Sequence, residues 1–258
     1  MIIWIASYPK SGNTWMRSFL SAYFMTDDGE FKIKNLDYIQ DYPNEQFFDE
    51  GNIKKGEVYK YWEKSQKKIF ENKKIKFLKT HNFGGSLEGN DFTNAENTSG
   101  VIYIVRDPRS VAVSNAYHNN ISFNQSVDDL LDEKIFATND GNLLEFRSSW
   151  RVNYLSWKNR KYPKLILRYE DLHSDTFQNF KKILNFINDF KKTDINDAKI
   201  KQTMNLCDMK SLSKLEDSQG FHEKLLNQEK FFRKGLVDEW KSKLEKHQIK
   251  KIEEAFYK

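Results

Sequence analysis

A single cysteine, Cys207, stands in the 258 residues, so no internal disulfide can form and nothing in the chain needs an oxidising compartment. Proline is scarce, at four residues, and no Pro/Gly-rich linker, low-complexity tract or internal repeat occurs, which leaves one domain over residues 1–258. No apolar run is long enough to span a membrane. The N-terminal MIIWIASYPK carries no basic leader, so a cytoplasmic protein is expected. G-x-G-x-x-G is absent, which removes a dinucleotide fingerprint. So is Gly-Lys-Ser/Thr after an earlier Gly, which removes a Walker A loop. Arginine is rare: eight of 42 basic residues, in a chain whose formal charge is only +5. Sparing use of Arg fits a chain that places it where a planar donor fork grips an anion, and Arg106, Arg109 and Arg233 all fall in segments that stand out below.

What is present is a globular composition. Six Trp, twelve Tyr and twenty Phe argue against disorder, and 38% hydrophobic with 31% charged residues is ordinary for a soluble domain. Four short apolar runs read as strands covered on both faces: IIWIA (2–6), IKFLKT (75–80), VIYIVR (101–106) and LILRY (165–169). Helical patterns lie between them, at 13–24, 56–72 and 108–118, the last with Pro108 suited to a first turn. Asp175 and Gln178 have capping-box spacing, and Phe177, Phe180, Ile183, Leu184, Ile187 and Phe190 follow at helical intervals. Residues 236–257 carry Trp240, Leu244, Ile252 and Phe256 on a similar repeat. Strands alternating with helices indicate an α/β protein with a parallel sheet. The intervals 30–55, 82–99 and 120–143 are polar and irregular, and read as long functional loops.

The sharpest local signal is strand, turn, helix at the N-terminus: IIWIA, SYPKSG, NTWMRSFL. Ligands of open α/β sheets sit beyond the strands' carboxyl ends, against a helix N-terminus. Gly12 lets the backbone approach an anion, Ser11, Asn13 and Thr14 add side-chain donors, and Lys10 adds a mobile charge. A tight turn with a surface Lys is the plain alternative. Trp15 on the first helical turn weighs against it, because so large a ring wants something flat to pack on.

The run Tyr8-Pro9-Lys10-Ser11-Gly12-Asn13-Thr14-Trp15 resembles the 5′-phosphosulfate loop of the cytosolic-type sulfotransferases. Leu78-Lys79-Thr80-His81 resembles their segment carrying the catalytic base, and Tyr103 to Ser114 their 3′-phosphate strand and helix. Arg168-Tyr169-Glu170-Asp171 falls at their Tyr-Glu-Asp, and Phe232-Arg233-Lys234-Gly235 is similar to their Arg-Lys-Gly signature. These motifs occur in family order across nearly the whole chain, with wording closest to a bacterial branch that includes glycopeptide sulfotransferases.

The resemblance implies a P-loop-like three-layer α/β fold, with a central mostly parallel sheet flanked by helices. The implied co-substrate is 3′-phosphoadenosine 5′-phosphosulfate (PAPS), with PAP as product and no metal required. His81 is the implied general base. Lys10 is assigned to the phosphosulfate bridge, with Ser11 to Thr14 lining the loop and Lys79 near the transferring group. Arg106, Ser114, Arg233, Lys234 and Gly235 are implied 3′-phosphate ligands, Ser114 also restraining Lys10 before an acceptor binds. Trp15, with Tyr169 at its edge, is the implied adenine platform, and Leu206 an apolar wall. Asn13 stands where animal enzymes have Thr. Their dimer signature is absent, so the oligomeric state stays open.

Two other readings compete. VIYIVRD could be a Walker B strand ending in Asp107, as in a nucleotide-dependent kinase needing Mg²⁺ and ATP. A basic pI of about 8.9 with many aromatics could mean a polyanion binder, but the Lys are scattered and no common nucleic-acid motif occurs, so no nucleic-acid partner is expected. His118, His173, His222 and His247 read as surface or hydrogen-bonded residues. Tyr38, Phe47, Phe48, Phe83, Tyr117, His118 and Phe123 are candidates for an acceptor wall, and the acceptor class stays open among carbohydrate, phenol, peptide and lipid.

Overall fold

Alternate residues of the first strand face opposite sides, and both sides are apolar. Ile3 and Ile5 pack with Met16, Phe19 and Leu20 and with Phe180, Ile183, Leu184 and Ile187. Ile2, Trp4 and Ala6 pack the other way, against Tyr42, Trp62, Leu78, Phe92 and Trp157. A strand buried on both faces needs helices on both faces, and that is the observed three-layer arrangement. The computed structural model describes residues 1–26, 30–48, 53–69, 74–134, 136–137, 145–225, 228 and 230–256.

In chain order the first half comprises β1 (Ile2–Ser7), α1 (Asn13–Met25), β2 (Gln40–Asp41), α2 (Trp62–Ile69), β3 (Lys76–Thr80), the short pair β4 (Ser86–Leu87) and β5 (Asn90–Asp91), and β6 (Thr98–Val105). Then follow α3 (Pro108–Asn119), α4 (Phe123–Leu131), the pair β7 (Phe136–Ala137) and β8 (Glu145–Phe146), α5 (Trp150–Lys158) and β9 (Lys164–Arg168). The chain continues through α6 (Tyr169–Ser174), α7 (Thr176–Asn188), α8 (Asp197–Leu206), α9 (Met209–Gln219), α10 (Trp240–Lys243) and α11 (Lys246–Phe256). The main sheet has the order β2-β3-β1-β6-β9. Every pairing in it is parallel, with Ala6 beside Thr80 and Tyr103, and Asp41 beside Lys79. All five strands therefore end on one edge.

The four expected strands are present, but the last stops at Arg168 and Tyr169 opens a helix. Asp175 caps α7 by accepting from the Gln178 backbone N–H. Three expectations need correction. The interval 120–143 contains α4, capped by Ser122, with Phe123, Val127, Leu130 and Leu131 at helical spacing on its packed face. Residues 135 and 138–143 of that interval lie outside the described residues, as do 49–52 of the interval 30–55. The helix expected over 56–72 is a 3₁₀ segment at Lys55–Tyr61 that becomes α-helical only at Trp62, and 70–72 lie outside the described residues. The C-terminal repeat is split: Leu244 is extended, and the Gln248 side chain accepts from the Glu245 N–H to start a second helix. Residue 257 lies outside the described part.

Candidate active site

The common carboxyl edge opens into a cavity of about 680 Å³. It is lined by residues at or just past each strand end: Lys10 after β1, Asp41 at β2, His81 after β3, Arg106 after β6 and Tyr169 after β9.

The turn after β1 bends through two left-handed residues, Lys10 at φ 64° and Gly12 at φ 99°. A Cβ at Gly12 would lie 2.6 Å from the Tyr169 ring, so this position requires glycine twice over, for its backbone and for the ring beside it. Gly12 is also the N-cap of α1, and no side chain caps that helix. Its first N–H groups are thus left for an anion. Thr14 and Trp15 line the cavity, with Trp15 edge-on to Tyr169 and Phe180. Asn13 departs from expectation. Its side-chain amide is used inward, donating to Ile5 O at 2.9 Å and Ser7 Oγ at 3.2 Å, so the side chain braces the strand end while the residue still lines the cavity, where its backbone N–H opens α1. Ser11 is fully buried, and its hydroxyl has no partner among the described residues.

Arg106 joins the two basic segments. Its Nη1 donates to Lys10 O at 2.9 Å and its Nη2 to Leu236 O at 2.8 Å, with the guanidinium 4.3 Å from the Tyr169 ring centroid. Tyr169 makes a second link, its hydroxyl donating to Gly235 O at 2.8 Å. Arg233 lines the cavity, paired with Glu239 and 4.1 Å from the Tyr117 ring centroid; Lys234 Nζ lies 3.6 Å from the same carboxylate. Ser114 lines the cavity too. Leu206 does not, and this corrects the expected wall: it ends α8 and packs against the cluster of Ala22, Leu36 and Leu212, while Met209 faces the cavity. Arg109 also turns elsewhere, gripping Asp107 and Glu253 and stacking 3.8 Å from the Trp240 centroid.

His81 is held on three sides. Its N–H donates to Glu145 Oε1 at 2.9 Å, its carbonyl accepts from Asn153 Nδ2 at 2.9 Å, and its Nδ1 lies 2.8 Å from Ser7 O. A carbonyl only accepts, so Nδ1 carries the proton and Nε2 keeps its lone pair. Burial first, then repulsion from Lys79 and Arg147, hold its pKa well below 6.5. Lys79 also lines the cavity, its ammonium bonded to Asp41 Oδ2 at 2.9 Å; burial lowers its pKa, but Asp41, Glu223 and Glu145 together overcome this and raise it. Lys10 is the contrasting cation. Burial lowers it to about 7, with Arg106 adding repulsion against the attraction of Glu223, and its Nζ stands 4.3 Å from the Phe231 centroid.

Sequence reasoning missed several lining residues. Arg17, fully enclosed on α1, donates to Glu223 Oε1 at 2.5 Å and to Ile39 O at 3.2 Å. Burial raises the Glu223 carboxyl, and Arg17 and Lys79 overcome this to lower it. Arg17 is the sole charged residue of α1, and that was the available signal. His222, read as a surface or hydrogen-bonded residue, lines the cavity, as does His118, also a candidate for the acceptor wall; burial takes His118 down to about 3.

The sulfotransferase-domain family model matches residues 2–258. The luciferin sulfotransferase of Photinus pyralis is 26% identical, over 97% of this chain and 69% of its own length. Cytosolic sulfotransferase 3 of Arabidopsis thaliana is 24% identical, over 96% and 73%. The crystal structure of a mouse sulfotransferase complexed with PAP superposes with a TM-score of 0.66 at 20% identity, covering 98% of this chain and 82% of that one. Retinol dehydratase in complex with androsterone and inactive cofactor PAP gives 0.56 at 16%, covering 98% and 78%. The structural likeness establishes the P-loop-like α/β fold, and the match over residues 2–258 establishes that the chain belongs to the sulfotransferase family.

Proposed function

We propose that this chain is a single-domain, cytoplasmic enzyme that transfers a sulfuryl group in line from PAPS to an acceptor hydroxyl or amine, releasing PAP and requiring no metal. The observation that carries this is the Arg106 guanidinium, which spans Lys10 O and Leu236 O and so sets two cationic segments on one cavity. A nucleotide anionic at both ends suits that spacing. Ser11 Oγ and Arg106 Nε, both buried and without partners among the described residues, are donors in keeping with such a ligand, as is the uncapped start of α1. Arg233, Lys234, Ser114 and the Gly235 turn would hold the 3′-phosphate, Arg binding two oxygens at once. Trp15, Tyr169 and Met209 would border the adenine.

In the reaction, a bond forms from acceptor oxygen to sulfur while the bond from sulfur to the bridging oxygen breaks, its electron pair leaving on the 5′-phosphate. The acceptor proton goes to His81 Nε2, and the Lys10 ammonium stabilises the charge growing on the bridge. A kinase reading asks Asp107 to hold Mg²⁺. That carboxylate is already committed, capping α3 through the Arg109 N–H at 2.8 Å and accepting from Arg109 Nη2 at 2.6 Å. The test is a donor-dependent acceptor screen by mass spectrometry, in chelator. Gain of one sulfate with PAPS, and no phosphate with ATP, is expected; the reverse result would overturn the proposal.

A further inference from the structure

Away from the N-terminal turn and the Arg-Lys-Gly segment, the cavity has a second half whose chemistry is unlike that of an ordinary pocket, which is mostly apolar with a few polar groups. One side is formed by Asp37, Gln40, Asp41, Asn44 and Gln46 around β2. His118, Asn119, Arg147, His222 and Glu223 line the same cavity. Among the described residues, and leaving aside Trp15, Tyr169 and Met209, the apolar lining is Pro9, Leu225, Phe231, Phe232 and Leu236, and Lys10 already stands over the Phe231 ring. Of the aromatics that the sequence offered as an acceptor wall, His118 lines the cavity, Tyr117 lies under the Arg233 guanidinium, and the other five are spent elsewhere. Phe47, Phe48 and Phe83 pack in the cluster around Trp4, Tyr38 in the one around Phe19, and Phe123 against α3 and α4.

A flat lipophilic acceptor placed here would strip water from amides and carboxylates and return no hydrogen bonds, which is destabilising for every group so stranded. Neighbouring hydroxyls of a sugar each donate and accept, and so does a carboxamide. Gln40 Nε2 donates to Gln46 Oε1 at 3.2 Å, fixing two amides side by side with further donors and acceptors free to face such a diol. Gln40 pairs beside Leu78 and Asp41 beside Lys79, so this wall sits next to the strand that leads to His81. Resting on the PAPS-dependent reading above, we propose that the acceptor is a polyhydroxylated, hydrophilic molecule: a saccharide, free or as the sugar of a glycoside. One sugar hydroxyl gives its proton to His81 Nε2 and forms the new bond from oxygen to sulfur, and the neighbouring hydroxyls engage the β2 wall.

The test measures PAP binding by calorimetry and, in parallel, PAPS-dependent sulfation of free mono- and disaccharides, methyl glycosides and 2-naphthol. Saccharide or glycoside kcat/KM at least about tenfold above that for 2-naphthol is expected, because a site built to hydrogen-bond hydroxyls rejects ligands lacking them. Preference between free sugars and glycosides identifies the source, and either supports the proposal. Replacing Gln40→Met with Gln46→Met keeps side-chain shape while removing the amides. This pair should lower saccharide kcat/KM on the order of tenfold, leave 2-naphthol turnover and PAP affinity in place, and so narrow the ratio. Preference for 2-naphthol, or no sugar sulfated by protein that binds PAP, overturns the saccharide proposal alone. Failure to bind PAP overturns the donor reading and this one with it.

Discussion

His81 illustrates how one contact fixes a chemical role. With Nδ1 2.8 Å from Ser7 O, the only tautomer that satisfies the carbonyl leaves Nε2 free, and burial keeps the ring neutral at pH 7. Asn13 supports this from behind, since it donates to the Ser7 hydroxyl that lies 3.2 Å from the same Nδ1. His81→Ala should therefore slow turnover by about 10²–10⁴-fold, the range for a lost general base, with PAP affinity unchanged by calorimetry. Near-normal turnover would remove it from that role. Lys10 makes a different prediction. Its pKa of about 7 lies below the usual lysine range, so the ammonium is present below that pH and is lost as pH rises through it. PAP affinity should fall for wild type relative to Lys10→Arg as pH goes from 6 to 8, the guanidinium staying charged throughout. Taking the ratio cancels the ligand's own phosphate ionisation. A flat ratio would show that Lys10 does not meet the ligand's anion.

At the scale of elements, the turn between β1 and α1 and the segment around Gly235 are shaped by one ring. Tyr169 occupies the space a Cβ of Gly12 would need and donates to Gly235 O at 2.8 Å. Gly12→Ala should destabilise the protein by about 2 kcal/mol, from left-handed strain in a residue with a Cβ, and more if the ring must move. Tyr169→Phe keeps the ring and loses one buried hydrogen bond, about 1 kcal/mol, read as a several-fold weaker PAP affinity. Equal PAP binding by both variants and wild type would separate this ring from the donor site. These elements were legible in the sequence because each depends on local pattern: uninterrupted apolar runs, a glycine in a βα turn, an Arg-Lys-Gly run. What stayed hidden depends on distant partners. The Arg17–Glu223 pair joins residues far apart in the chain, and Asn13, a plausible ligand by type, turns inward only because Ile5 O and Ser7 Oγ await it. By contrast α4 was legible, since Phe123, Val127, Leu130 and Leu131 recur at helical spacing behind the Ser122 cap, and the polar reading of 120–143 passed over it.

For the whole molecule, the question is what ties the Arg-Lys-Gly segment, remote in sequence, to the sheet. Four ties are visible: Arg106 to Leu236 O, Tyr169 to Gly235 O, Ser110 to Val237 O, and Glu216 accepting from the N–H groups of Phe231 and Phe232. Apolar packing adds to them, Phe232 being buried with Ala22, Leu212 and Phe221 and Val237 packing on the cluster around Phe19. Arg106, Lys10 and Arg233 crowd positive charge around the cavity, and burial lowers both Arg106 and Lys10, which means the fold bears electrostatic strain that an anion relieves. A ligand bridging both segments should consequently stabilise the native state by mass action. At 100 times its Kd, PAP should contribute about 2.7 kcal/mol, and for a domain of this size raise Tm by about 5–10 °C. Arg106→Met removes both bonds of the bridge while keeping much of the buried volume. It should lower the ligand-free stability by about 3 kcal/mol and, because the two segments lose their common brace, shrink the PAP-induced rise in the same scan. A variant with lowered Tm but a full PAP response would show that the two segments find each other without Arg106, and that the bridge is a structural bond alone.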